Sequence, residues 1–154
     1  MKHYDKLIFV SESDTATGPM AEAILQREFL LEDILIVSKG LVVLFPEPVN
    51  PKTEEVLSLA GLTSGDHMSK PLGQEDFDER TLILTMSMEQ QDKIYSEYEN
   101  PVNVFALRAY IGADDEVFDP YGGTLEDYQK CYEQLNTMLD RLSELLLQEE
   151  KTYV

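Results

Sequence analysis

The sequence is poor in the residues that build disulfide frameworks and metal centres. Its 154 residues include one cysteine, Cys131, and two histidines. A single cysteine excludes a disulfide within the chain and a zinc site made of several cysteines. Two histidines are too few for a histidine metal site, so we expect no metal and no other cofactor.

Positive charge is also scarce. The chain has 12 Lys and Arg against 30 Asp and Glu, which gives a formal net charge of −18. Such a strongly acidic chain is repelled by nucleic acid and by anionic lipid, so we expect neither as a partner. A protein partner is expected to be basic.

Long apolar runs are missing as well. No stretch approaches the roughly 20 apolar residues that a membrane span needs. The first residues lead straight into a strand without the apolar region of a signal peptide, so we expect a cytoplasmic protein. Hydrophobic residues make up 43% of the chain, and this length and composition predict a single globular domain over residues 1–154.

The most informative stretch covers residues 6–23, KLIFVSESDTATGPMAEA. The apolar run from Leu7 to Val10 predicts a strand, small and polar residues follow from Ser11 to Gly18, and Pro19 suits the first helical position. A loop between a strand end and a helix N-terminus can collect backbone N–H groups that hold an anion, above all phosphate. The alternative is an ordinary turn without a ligand, and the spacing alone favours it.

Strands and helices alternate along the rest of the chain. Further strands are predicted at residues 34–38, 81–86 and 101–106, and helices at 19 to about 31, 51 to about 60, 88 to about 98 and 124 to about 148. Residues 41–50 and 112–123 are predicted loops. This alternation predicts an α/β fold of three layers, a four-stranded parallel sheet with helices on both faces.

The last predicted helix carries the clearest apolar stripe. Its members recur at steps of three and four residues: Leu125, Tyr128, Tyr132, Leu135, Leu139, Leu142 and Leu146. A coiled-coil partner could use this stripe, but one flank of a sheet needs the same pattern, and we favour the sheet.

Several segments together resemble the low-molecular-weight protein tyrosine phosphatases. Residues 19–23, PMAEA, match the segment that follows the family's phosphate-binding loop, and residues 118–123, FDPYGG, resemble its Asp-Pro-Tyr loop. VSKG at 37–40 and LILTM at 82–86 resemble the segments at its second and third strands. The resemblance covers nearly the whole chain and implies the family's fold, which is also that of arsenate reductases. Those enzymes need several cysteines, and this chain has one.

The resemblance implies that two catalytic residues are replaced. Ser11 stands where the family has its nucleophilic Cys, and Thr17 stands where it has the phosphate-binding Arg. Gly18 stands at the family's Ser. The rest of the binding loop is formed by Glu12, Ser13, Asp14, Thr15 and Ala16.

Other positions of the family's site are kept. Asp119 matches the general acid, and Tyr121 matches a residue that flanks the phosphotyrosine ring. The alternative for Asp119 is a turn-forming role ahead of two glycines. His67 matches a supporting His, and we expect it to bond Asp14 as a structural brace of the loop.

These replacements work against phosphoryl transfer. A cysteine at a helix N-terminus ionises near neutral pH, whereas a serine needs an adjacent general base, and none is apparent. Thr17 cannot form the two-pronged hydrogen bonds of an arginine. A carboxylate such as Glu12 or Asp14, about 6 Å from a phosphate charge, costs roughly 3 kcal/mol per charge at an effective dielectric constant of 20. Lys39 and Arg108 could offset that charge if they lie near the loop.

Four functions follow, in order of preference. The first is a catalytically impaired phosphatase relative with a binding or regulatory role, which binds phosphate or phosphotyrosine weakly at best. The second is residual hydrolysis of phosphotyrosine-type monoesters with Ser11 as nucleophile and Asp119 as acid. The third is capture of phosphotyrosine without turnover. The last is a Mg²⁺ or Ca²⁺ site made by Glu12, Asp14 and Asp119.

Overall fold

The computed structural model describes residues 4–28 and 34–152. The strands are β1 (Lys6–Ser11), β2 (Leu35–Gly40), β3 (Thr81–Thr85) and β4 (Val104–Ala106). The helices are α1 (Thr17–Glu28), α2 (Pro51–Leu59), α3 (Met88–Glu97), α4 (Leu107–Ile111) and α5 (Leu125–Thr152). One turn of 3₁₀ helix, Gln74–Asp76, precedes β3.

The four strands form one parallel sheet, as predicted, and their order in it is β2-β1-β3-β4. The apolar strand residues alternate between two faces. Leu7 and Phe9 of β1 lie in the larger core cluster, while Ile8 and Val10 lie in the smaller one. Both faces are therefore buried, which explains why β1 reads as a continuous apolar run.

The stripe of α5 is buried inside this chain. Leu135, Leu139 and Leu142 are fully buried in the larger core cluster, where α5 packs on α1, α2 and α4. The stripe therefore covers one flank of the sheet, and a coiled-coil partner is not needed to bury it. None of the described helices combines the length and apolar character that crossing a bilayer requires.

Helix α1 begins two residues before the predicted start, at Thr17 rather than Pro19. Pro19 still lies in the first turn, where the N–H groups have no partner within the helix, so the proline costs no hydrogen bond. The predicted end near residue 31 lies outside the described residues.

Strand β4 is shorter than predicted, and helix α4 was not predicted. Asn103 has a φ of +55°, and the strand begins only after this left-handed residue. The outer edge of β4 is covered by α3, since Tyr95 Oη donates to Val104 O at 3.0 Å and Ala106 N–H donates to Gln91 Oε1 at 2.8 Å. Side chains on this edge protect it from pairing with another strand.

Candidate functional site

The 11–17 loop connects the carboxyl end of β1 to the N-terminus of α1. Leu41 N–H donates to Ser11 O at 3.0 Å, and Val42 N–H donates to Glu12 O at 2.8 Å. These bonds attach the loop to the chain that leaves β2. Ala16 O accepts the first helical bond, from Met20 N–H at 3.0 Å. The loop therefore has the strand–loop–helix path that the sequence predicts.

Several loop amides are left without a protein acceptor. Asp14 N–H donates to Ser11 Oγ at 3.2 Å, but within the described ranges the amides of Ser13, Thr15 and Ala16 donate to no protein group. Amides in such a loop, next to a helix N-terminus, attract anions. The backbone thus offers donors of the kind that hold phosphate, and the replacement of side chains at Ser11 and Thr17 does not remove them.

Asp14 is the central residue beneath the loop. It is fully buried and has a left-handed φ of +59°. Its Oδ2 accepts from Lys70 N–H at 3.0 Å and lies 3.2 Å from His67 Nε2, which is also 3.1 Å from Asp14 O. The expected contact between Asp14 and His67 is therefore present, and it braces the loop against the segment that precedes β3.

This brace changes the proton affinities of two groups. Burial of His67 opposes its protonation, but the hydrogen bond and charge of Asp14 outweigh burial and raise the pKa of His67 above its ordinary 6.5. Burial raises the pKa of Glu22 above its ordinary 4.5, with the charge of Asp14 acting in the same direction and those of His67 and Lys70 against it. Both groups hold protons more tightly in the folded chain.

We expect the stability of the protein to fall as pH rises through neutrality. A raised pKa of His67 contributes stability that is fully present below 6.5 and is lost as pH rises through the folded value. Glu22 acts in the same direction: the stability that its raised pKa contributes is lost as pH rises above 4.5. Urea unfolding between pH 5 and 8 should show this decline, and it should be smaller in His67→Gln. An equally steep decline in that variant would contradict the assignment to His67.

Ser11 Oγ has no general base beside it. The residue is 4% exposed, and among the described residues the only hydrogen bond to Oγ comes from Asp14 N–H. No described imidazole or carboxylate lies within hydrogen-bond distance of it. Gly18 packs closely here, since a Cβ on Gly18 would lie 2.8 Å from Ser11 Oγ. The serine is thus held without the partner that activates a nucleophilic hydroxyl.

Among the described Lys and Arg side chains, Lys93 of α3 contacts the loop, with its Nζ 3.7 Å from Glu12 Oε1. Lys39 and Arg108, which sequence reasoning considered, do not form ion pairs with the loop. Lys39 Nζ lies 2.7 Å from Asp76 Oδ1, and Arg108 Nε lies 3.5 Å from Glu116 Oε1. Their charge is used in other ion pairs, which is why the expected offset is not found.

The Asp119 segment is tied to the same edge of the sheet. Val117 N–H donates to Met86 O at 3.4 Å, and Met86 N–H donates to Val10 O at 3.2 Å. Asp119 is exposed, and its Oδ1 accepts from Tyr121 N–H at 3.0 Å. Asp119 therefore forms a turn, one of its two expected roles, on a segment that the backbone links to the end of β1.

The start of α2 also links the 11–17 loop to the Asp119 segment. Asn50 N–H donates to Thr15 O at 2.8 Å, and Lys52 Nζ donates to Gly123 O at 2.6 Å. The strand ends, the 11–17 loop and the Asp119 segment therefore belong to one region of the surface. Tyr121 projects into solvent in this region.

A family model described as low molecular weight phosphotyrosine protein phosphatase matches residues 6–152. The chain belongs to this family. PtpB of Staphylococcus epidermidis, a low molecular weight protein-tyrosine-phosphatase, is 30% identical over 137 residues, which are 89% of this chain and 96% of PtpB.

Solved structures agree with the family and the fold. The YwlE arginine phosphatase from Geobacillus stearothermophilus has a TM-score of 0.89 at 28% identity, with 97% of both chains covered. A cysteine-to-serine mutant of YwlE, solved with a phosphorylated active-site serine, has a TM-score of 0.85 at 29% identity and covers 95% of this chain and 98% of its own.

Cys131 does not replace the cysteine that the phosphatase family has at the position of Ser11. It is fully buried on α5. Burial, with the charge of Asp119, raises the pKa of the Cys131 thiol to about 12. A thiol of this kind stays protonated at neutral pH and is a poor nucleophile.

The acidic residues of this phosphatase-like site do not gather into a cation site. Within residues 4–28 and 34–152, no group of three or more His, Cys, Asp or Glu side chains could hold a metal ion. Asp14 is buried against His67, while Glu12 and Asp119 are exposed. The described residues therefore do not support the hypothesis that Glu12, Asp14 and Asp119 bind Mg²⁺ or Ca²⁺ together.

Sequence reasoning missed three contributors to the site. Lys93 pairs with the loop, Asn50 bonds it through its amide, and Lys70 supplies a backbone donor to Asp14. All three contacts join segments far apart in the sequence. Sequence reasoning considered Glu22 only as part of the PMAEA segment, and nothing in that segment predicted that Glu22 would be partly buried.

Proposed function

We propose that this protein is a catalytically silent member of its phosphatase family, acting in the cytoplasm as a binding or regulatory protein. The observation that carries the proposal is the environment of the Ser11 hydroxyl. Its hydroxyl is buried, accepts a hydrogen bond from Asp14 N–H and has no described base beside it. Thr17 stands where the family has an arginine, so the site also lacks a fork for phosphate oxygens.

The charges of the loop support the same proposal. Glu12 and Asp14 bring two carboxylates to a loop whose function in the family is to bind an anion. Lys93 neutralises Glu12 only at 3.7 Å, and the Glu12 side chain is itself 59% exposed. The free amides of the loop favour an anion, but the carboxylates oppose it, so we expect phosphate and phosphotyrosine to bind weakly at best.

The test is hydrolysis of p-nitrophenyl phosphate, a phosphotyrosine peptide and phosphoarginine by the natural sequence. We expect no turnover above a blank without enzyme, and an identical result for Ser11→Ala. Turnover that disappears in Ser11→Ala would overturn the proposal and establish a serine-dependent hydrolase.

A second candidate is residual transfer of a phosphoryl group to Ser11. It is favoured by the YwlE mutant described above, in which an active-site serine is phosphorylated. In this reaction Ser11 Oγ would attack phosphorus and pass its proton to a phosphoryl oxygen of the substrate, while the bond from phosphorus to the leaving group breaks and Asp119 protonates that group. Intact-mass measurement after incubation with phosphoarginine should then show one added phosphoryl group, absent in Ser11→Ala. An unchanged mass would exclude this candidate.

A further inference from the structure

The chain that leaves β2 carries an exposed apolar segment beside the loop. We call residues 42–45 the 42–45 segment, and its exposed apolar members are Val42, Leu44 and Phe45. Leu44 is 88% exposed and Phe45 63% exposed. Isolated surface hydrophobic residues are ordinary, but a contiguous group with polar neighbours marks an interaction surface.

The backbone of this segment is held at both ends. Before it, Leu41 and Val42 donate to Ser11 O and Glu12 O. After it, Glu47 N–H donates to Ser69 Oγ and Ser69 N–H donates to Glu47 O, each at 2.8 Å. A tethered segment loses little conformational entropy on binding, so its apolar side chains are suited to docking.

The direction of the side chains also matters. Val43 turns inward, because its Cγ2 would lie 2.7 Å from a Cβ on Gly40. Its neighbours Val42 and Leu44 point outward. One inward residue therefore anchors the segment and leaves the others on the surface.

The surroundings of the segment are acidic. Glu12 and Glu47 are exposed beside it. The described cations near these two carboxylates are Lys70, which is exposed, and Lys93, which is half-buried and already paired with Glu12. The chain as a whole has a net charge of −18. A second copy of this chain and an anionic membrane would both be repelled, whereas a basic partner would be attracted.

We propose that the 42–45 segment docks a protein segment in which lysines or arginines flank large apolar side chains. The partner's apolar groups cover Leu44 and Phe45, and its cations meet Glu12 and Glu47. This inference rests on the proposed binding role and names the surface and the partner chemistry. It places the partner against the 11–17 loop, since Val42 is bonded to Glu12.

The test is fluorescence anisotropy with a labelled peptide in which lysines flank two leucines and a phenylalanine. Two control peptides carry serines in place of the apolar residues or glutamates in place of the lysines. We expect the natural protein to bind the first peptide at least about tenfold more tightly than either control, because each apolar side chain buried is worth a factor of this order.

Variants then locate the binding. The double change Leu44→Ser with Phe45→Ser should weaken binding of the first peptide about tenfold or more. Leu59→Ser is the matched control, since Leu59 is 72% exposed on α2, and it should leave binding unchanged. All three side chains are exposed, so the variants should fold, and thermal unfolding checks this.

Two other outcomes would contradict the proposal. Equal binding by the double variant and the natural protein would mean that charge alone attracts the peptide. Self-association that the double variant abolishes would identify a second copy as the occupant. Turnover in the hydrolysis assay would overturn the silent assignment without touching the peptide result, so the two failures are distinguishable.

Discussion

Changing Ser11 to Cys and Thr17 to Arg together should give the protein a phosphatase activity that we propose its natural sequence lacks. A cysteine at this helix N-terminus becomes a thiolate near neutral pH, and an arginine restores bidentate contact with phosphate oxygens. The amides of Ser13, Thr15 and Ala16 already have no acceptor among the protein groups that the structure describes. Asp119, which matches the family's general acid, is expected to protonate the leaving group.

The expected size of this effect is large. An arginine that stabilises a phosphoryl transition state is worth about 10³–10⁵ in rate. Loss of a nucleophile from a comparable catalytic unit costs on the order of 10⁴–10⁶. Since such effects do not simply multiply, we expect kcat/KM for p-nitrophenyl phosphate to rise at least roughly 10³-fold over the natural sequence.

The single variants are the matched controls. Ser11→Cys alone should recover part of the activity, and Thr17→Arg alone should recover none because no nucleophile is present. If the double variant stays inactive while its thermal unfolding is unchanged, the loop itself is unsuitable for phosphate. Adding Glu12→Gln then tests whether the remaining repulsion comes from that carboxylate, whose side chain is 59% exposed.

The sequence predicted the fold well because local and global signals agree. The run from Leu7 to Val10 is apolar on both faces and occupies an interior strand. The stripe of α5 has the period of a helix that covers a sheet. Helix α4 gave no such signal, since five residues are too few to show a helical period.

The site was less predictable because it depends on contacts between distant segments. The resemblance located Ser11, Thr17 and Asp119, and it suggested the contact of Asp14 with His67. It could not show that Lys39 and Arg108 would be taken by Asp76 and Glu116. Ion pairs of this kind depend on tertiary positions that periodicity and spacing do not encode.

Replacing Asp14 by Ala should lower the free energy of unfolding by roughly 3 kcal/mol, the low end for breaking a buried pair, because His67 can release its proton. The change removes the acceptor of Lys70 N–H and the partner of His67. It also places Ala at a φ of +59°, where a short polar side chain is better tolerated. Urea unfolding at pH 6 measures the change.

Asp14→Asn is the control that separates hydrogen bonding from charge. Asn tolerates the left-handed backbone and keeps an oxygen for Lys70 N–H. It also removes the charge of a buried carboxylate whose Oδ1 has no hydrogen-bond partner among the described residues. We therefore expect Asn to change the free energy of unfolding by less than about 1 kcal/mol.

Comparing Asp14→Ala with Asp14→Asn shows whether the Asp14 carboxylate stabilises the loop by its charge or by its hydrogen bonds. If Ala and Asn destabilise equally, the charge attraction to His67 carries the brace, and the part of the pH dependence that comes from His67 should vanish in both variants. If only Ala destabilises, the brace consists of hydrogen bonds and backbone conformation. A neutral Asn would then serve the loop as well as Asp14 and would remove one charge that repels phosphate. In that case Asp14 contributes to silencing the site without being needed to hold it together.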